Sequence, residues 1–155
     1  MPLLRAALSW NFVLATAICA SLLAQLIKVL LNLFIFHRFI AERMWGAGGM
    51  PSSHSATVCA MVVATGRYCG VNSPIFAIAA VLSIIVMDDA MGVRYETGEQ
   101  AKVLNRMFTE WMDQGFEQFQ LPHGKKLKEM VGHTPIEVVT GAALGIVLGF
   151  AMPMV

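Results

Sequence analysis

Charge is scarce in this 155-residue chain. Lys, Arg, Asp and Glu make up 14% of it, whereas a soluble domain carries about 25%, so too few charges exist to cover a water-facing surface. The formal net charge is only +1, and no basic patch gathers that would suit nucleic acid. Cysteine is sparse as well. Cys19, Cys59 and Cys69 lie in or at the edge of apolar segments. Their spacing fits no metal site, and an odd, scattered set argues against a disulfide framework. A cleavable secretory signal is also missing, because the first apolar run is too long and has no small-residue cleavage site.

Long apolar runs are what the chain does have, and they predict an all-α, polytopic membrane protein built as one domain over residues 1–155. Four apolar segments are readable: Ser9 to Phe36, with Trp10 as an interfacial anchor; Ser53 to about Val63 or Thr65, or to Tyr68 if the helix continues; Ser73 to Met87; and Ile136 to Val155. A span needs roughly 20 residues, so the middle two are short. Between the third and fourth lies a polar insertion of about 95–132. Within it Leu104, Phe108, Trp111, Met112, Phe116 and Phe119 recur at helical spacing opposite Lys102, Arg106, Glu110, Asp113 and Glu117. That pattern predicts an amphipathic helix over 97–119, lying in the membrane interface or packed on a neighbour, and Leu121–Gly124 then reads as a turn.

Four spans place loops 37–52 and 95–132 on one side of the membrane. That side holds Arg38, Arg43, Lys102, Arg106, Lys125, Lys126 and Lys128, with Arg94 at its border, against only Arg5 and Arg67 on the other. The positive-inside rule therefore puts the two large loops in the cytoplasm. Small residues recur every fourth position in two segments, Ala56, Ala60 and Ala64 and then Gly141, Gly145 and Gly149. Such faces let helix backbones approach closely in lipid and would hold the second and fourth spans side by side.

Three short stretches carry the chemistry. In Gly46–Ala56, GAGGMPSSHSA, a proline and serines open an apolar helix; this is either a simple cap with an interfacial His54 or an anion site at a helix start. In Val131–Val138, VGHTPIEV, His133 and Glu137 are four apart and share a helix face, so the carboxylate can orient the imidazole. Thr134 and Glu137 also make a capping box, which explains the same residues without chemistry. Arg94 follows Asp88 and Asp89 at the end of the third segment, able to clamp a phosphate or to pair with those aspartates. Lys28 lies well inside the first apolar run, a position that marks either a functional site or a snorkelling side chain. Topology alone brings His54, Arg94, His133 and Glu137 to one membrane face. Two histidines, a carboxylate and cations at one interface suit phosphoryl transfer from a membrane-embedded substrate.

The stretches GGMPSSHSA, DAMGVR and GHTPIEV resemble the type 2 phosphatidic acid phosphatase and vanadium haloperoxidase superfamily, most closely its divergent branch of small membrane proteins. The resemblance spans nearly the whole chain in motif order. It implies His133 as the nucleophile, Glu137 as the residue that orients it, His54 as general acid, and Arg94 as a phosphate ligand. It further implies that Ser52 and Ser53 cradle the phosphate and that Lys28 and Arg38 stand for the first motif, with Asp89 in support. No metal or other cofactor is implied, although vanadate or phosphate would fit the site. The pattern differs in five respects: nine residues rather than six separate Lys28 from Arg38 with no proline following, Ser53 stands for a glycine, Val93 for a serine, Glu137 for an aspartate, and 38 residues separate Arg94 from His133 where the superfamily has five.

The expected activity is hydrolysis of a lipid phosphate monoester such as phosphatidic acid or phosphatidylglycerophosphate through a phosphohistidine. The partners would be that lipid and the bilayer, with no nucleic acid and with room for self-association. Two rivals are a silent membrane protein that binds or moves an anionic phospholipid or isoprenyl phosphate, and a scaffold subunit that uses the 97–119 helix as a partner surface.

Overall fold

The structure, a computed structural model, describes residues 11–36, 49–114, 126–129 and 131–154. Five helices follow one another there: α1 (Phe12–Phe36), α2 (Ser53–Cys69), α3 (Pro74–Met91), α4 (Val93–Asp113) and α5 (Pro135–Ala151). No strand occurs among the described residues. Arg38, Phe116, Phe119 and the turn expected at 121–124 lie outside the described residues.

Local chemistry sets the helix starts. The side chains of Ser52, Ser73 and Thr134 each accept a bond from a backbone N–H in the first turn of α2, α3 and α5. Proline occupies the first turn of α3 and α5, where its missing N–H costs nothing. At the opposite end of the molecule, Arg67 Nη1 donates to the carbonyls of Gly149 and Met152, each at 2.7 Å, satisfying the last turn of α5.

The packing is inverted relative to a water-soluble protein. Most of the buried apolar positions are small: Ala17, Ala20 and Ala24 on α1, Ala56, Ala60 and Ala64 on α2, Ala79 and Ala90 on α3. Large apolar side chains point outward instead, among them Leu22, Leu26 and Phe34 on α1, Ile78 and Ile84 on α3, and Val147 and Phe150 on α5. Lipid tails are as apolar as leucine, so only close backbone approach rewards helix association there, which selects small residues inside. Two helical stretches, Phe12–Phe34 and Pro74–Asp113, are long and apolar enough to cross a membrane, and Pro135–Ala151 is a shorter apolar helix.

Helix α2 sits at the centre, packed on α5, α1 and α3, whereas among the described helices α4 touches α3 alone. The four-residue stripes read from the sequence are the α2–α5 seam. A methyl group at Gly141 would collide with the Ser52 backbone and one at Gly145 with the Ala56 carbonyl, while Gly149 faces Val63 and Ala60. This seam brings the start of α2 against the start of α5.

The polar insertion begins as a helix earlier than its hydrophobic pattern indicates. Only Gly92 separates α4 from α3, and Arg94 is the second residue of α4 rather than the last of a span. The apolar stripe from Leu104 onward marks where α4 becomes amphipathic, not where it begins. The described chain then returns along α4, in residues 126–129 and 131–134, to reach α5.

Candidate active site

Glu137, in the first turn of α5, ties two of the sequence stretches together. Its Oε2 accepts from the Thr134 N–H at 2.9 Å, and the Thr134 hydroxyl accepts from the Glu137 N–H at 3.4 Å. That is the capping box. The same Oε2 lies 3.3 Å from His133 Nδ1, and Oε1 accepts from the Gly49 N–H at 3.1 Å. The Glu137 carbonyl accepts from the Ser52 N–H at 2.9 Å. Capping and histidine orientation, alternatives in the sequence, are here performed by one carboxylate. Gly49 has φ +88°, in the left-handed region where glycine is favoured, and a methyl group there would touch the Lys28 side chain.

His133 is almost fully buried, at 2% exposure. Its backbone N–H donates to the Ala90 carbonyl at 3.0 Å, which anchors it to the end of α3. With the Glu137 carboxylate at Nδ1, the neutral ring keeps its proton there and its lone pair on Nε2. That Nε2 is buried and has no hydrogen-bond partner. Burial pushes the His133 imidazole below its ordinary pKa, and the Glu137 carboxylate opposes that shift. A neutral imidazole nitrogen with a free lone pair can accept a proton or attack an electrophile.

His54, the second residue of α2, meets His133 edge-on with ring centroids 5.9 Å apart. Unlike His133 it is exposed, so it can exchange protons with its surroundings. Both rings line a cavity of about 160 Å³ together with Arg94, Asp89, Val86, Ala90 and Val131. A site for a whole drug-sized molecule occupies roughly 300–1,000 Å³, so this one accepts a headgroup-sized fragment and leaves the remainder outside. Arg94 Nε donates to Asp89 Oδ2 at 2.5 Å, an exposed pair that leaves both terminal nitrogens of the guanidinium to other acceptors.

The 38-residue separation of Arg94 and His133 does not keep them apart. Helix α4 leads away from Arg94, and the returning chain brings His133 back to Ala90, so both residues line the same cavity. Other expected ligands are placed differently. Ser52 is fully buried, and its hydroxyl accepts from the N–H and the hydroxyl of Ser55 at 3.3 and 3.1 Å, as the cap of α2. Ser53 Oγ faces Gln25 Nε2 at 3.5 Å across the α1–α2 contact. Lys28 is buried at 2% exposure beside Gly49. None of Ser52, Ser53 and Lys28 is among the residues lining the cavity. Among the described residues no group of three His, Cys, Asp or Glu is placed to hold a metal ion. Sequence reasoning passed over Val86, Ala90 and Val131 in the cavity wall, whose only signal was their nearness to Asp89 and His133 in the chain.

Residues 9–148 match the family described as the divergent PAP2 family. The chain is also similar to the uncharacterized membrane protein YuiD of Bacillus subtilis (strain 168), with 38% identity over 144 residues that cover 89% of this chain and 91% of that protein. No solved structure matches it.

Proposed function

The chain belongs to the divergent PAP2 family, and from that premise we propose that it is a membrane phosphatase for a lipid phosphate monoester. In this reading α1, α2, α3 and α5 cross the bilayer, and the positive-inside rule sets the cavity at the cytoplasmic face. One observation carries the proposal: buried His133, held at Nδ1 by Glu137, has an unpartnered Nε2 and lines one cavity with His54 and Arg94.

The steps follow from these positions. Arg94 binds phosphate oxygens through its terminal nitrogens, with Asp89 fixing the guanidinium plane. His133 Nε2 attacks phosphorus, forming an N–P bond as the P–O bond to the lipid breaks. Protonated His54 gives its proton to the leaving lipid oxygen, and the diacylglycerol-type alcohol departs. Positive charge develops on the His133 ring in this step, and Glu137 stabilises it. Neutral His54 then takes a proton from water as the water oxygen attacks phosphorus, the N–P bond breaks, and inorganic phosphate leaves. Phosphatidic acid and phosphatidylglycerophosphate are the substrates we would assay first, because each presents a monoester headgroup on a diacyl anchor that can stay in the bilayer.

The test is phosphate release by the purified protein from a panel of lipid phosphates, with and without His133→Ala. We expect turnover of at least one lipid that the variant abolishes and vanadate inhibits; equal rates would overturn the proposal. A silent lipid-phosphate binder is the second reading, favoured by the placement of Ser52, Ser53 and Lys28 away from the cavity lining. Lipid-phosphate binding that survives His133→Ala, without turnover by the wild type, would select it.

A further inference from the structure

Asn105 is a buried polar residue on α4, at 5% exposure, and it is absent from the cavity lining. Its amide makes three bonds to chain 22 to 24 residues away. Nδ2 donates to the Leu127 carbonyl at 2.9 Å and to Glu129 Oε1 at 2.8 Å, and Oδ1 accepts from the Leu127 N–H at 2.9 Å. Reading both the N–H and the C=O of one residue, the amide pairs with the returning chain as a neighbouring strand would. Farther along, a methyl group on Gly98 would meet the Glu129 carbonyl, and one on Gly132 would meet the backbone of Tyr95. The run ends where the His133 N–H reaches the Ala90 carbonyl.

Asn105 with Leu127, Gly98 with Glu129, Tyr95 with Gly132 and Ala90 with His133 are thus paired in antiparallel order. The returning chain is a strap laid back along α4 towards α3, closely apposed at its glycines and hydrogen-bonded at its two ends. Only three residues lie between Glu129 and His133, so a shift of the Leu127 and Glu129 contacts along α4 would displace His133 in the cavity.

We propose that Asn105, with Glu129 as its partner, is a positioning residue that sets the register of this strap and so aims His133 Nε2 into the cavity. The inference rests on the reading of His133 as nucleophile, but its geometric content stands apart from turnover. A misplacement of about 1 Å at a reacting centre costs about 10²-fold in rate, which sets the expected size of the effect.

The experiment compares the full-length purified protein with Asn105→Ala, Asn105→Asp and the double variant Asn105→Asp/Glu129→Gln. The aspartate keeps the acceptor for the Leu127 N–H but loses both donors and faces the Glu129 carboxylate. Adding Glu129→Gln reverses the side-chain bond and restores two of the three contacts. Two readouts are taken on folded, monodisperse protein: kcat and KM on the lipid phosphate, and the site-resolved rate of His133 carbethoxylation by diethyl pyrocarbonate.

For Asn105→Ala and Asn105→Asp we expect kcat to fall by about 10²-fold with KM within about threefold, and the His133 modification rate to change in parallel. The double variant should recover at least about tenfold of the loss in Asn105→Asp. A merely structural residue would lower thermal stability while leaving His133 modification and kcat of the folded fraction unchanged, and that result would overturn the proposal. So would a double variant no better than Asn105→Asp. If Asn105→Ala does not fold, the comparison of Asn105→Asp with the double variant decides alone. If the wild type releases no phosphate, the phosphatase reading fails, while His133 modification still decides whether the strap register depends on Asn105.

Discussion

Replacing Glu137 by glutamine separates the two roles that meet on its side chain. Glutamine serves in a capping box as glutamate does, so a residue that only caps α5 would tolerate the change. The site would not. The carboxylate lies 3.3 Å from His133 Nδ1, and in the proposed reaction that ring becomes cationic as the N–P bond forms. At this separation and an effective dielectric of about 20, the interaction amounts to about 5 kcal/mol as an upper limit. The Glu137 side chain is 19% exposed, and water screens part of that. An amide retains a dipole, so about 3 to 4 kcal/mol of the interaction is at stake, equivalent to roughly 10² to 10³ in rate.

Geometry adds a second cost. Three donors converge on the carboxylate, from Gly49, Thr134 and His133. One amide oxygen at the Oε2 position can still accept from Thr134 and His133, but the NH₂ group then faces the Gly49 N–H. Leaving that donor unpaired costs about 1–3 kcal/mol of stability. Phosphate release by purified Glu137→Gln should therefore show kcat lowered by about 10² to 10³ with KM little changed, alongside a lower melting temperature. Wild-type kcat in the folded variant would refute the electrostatic role and leave Glu137 as a cap.

Three further outcomes follow from the same geometry. Gly145→Ala puts a methyl group into the Ala56 carbonyl, so unfolding in detergent should show a loss of about 1–3 kcal/mol; a variant as stable as wild type would contradict the close α2–α5 seam. Burial holds the His133 pKa below its ordinary 6.5, so the acid limb of kcat/KM, where the nucleophile takes up a proton, should lie below pH 6.5, while loss of the His54 proton sets the alkaline limb. The unfolded ring takes up its proton first, so stability too should decline as pH falls below about 6.5, and an acid limb of kcat/KM above 6.5 would contradict the assignment. Asp89→Asn loosens Arg94 at an exposed pair that contributes only about 0–1 kcal/mol to folding, so KM should rise several-fold with melting unchanged; an unaltered KM would remove Asp89 from the site.

The parts of this molecule legible in the sequence are those with local or periodic signals. The four-residue stripes of Ala56, Ala60 and Ala64 and of Gly141, Gly145 and Gly149 do form the α2–α5 seam. The Thr134–Glu137 capping box stands where its spacing placed it. His54, Arg94 and His133 do line one cavity, because ends of adjacent helices can meet whatever the loop length between them. The strap was not legible. Asn105 and its partners at Leu127 and Glu129 are joined by side-chain bonds to backbone and carboxylate across 22 to 24 residues, and such pairing leaves no period in the chain. Nor did spacing reveal that the Ser52 hydroxyl is occupied at the α2 cap, since a capping serine and a phosphate-binding serine read alike.

The central claim is that His133 Nε2 takes the phosphoryl group, and trapping that intermediate tests it most directly. Purified protein quenched during turnover of a lipid labelled in its phosphate should carry an acid-labile, alkali-stable label on His133, absent from His133→Ala and accumulating in His54→Ala supplied with a good leaving group. Steady phosphate release by the wild type with no label on His133 under those conditions would contradict it.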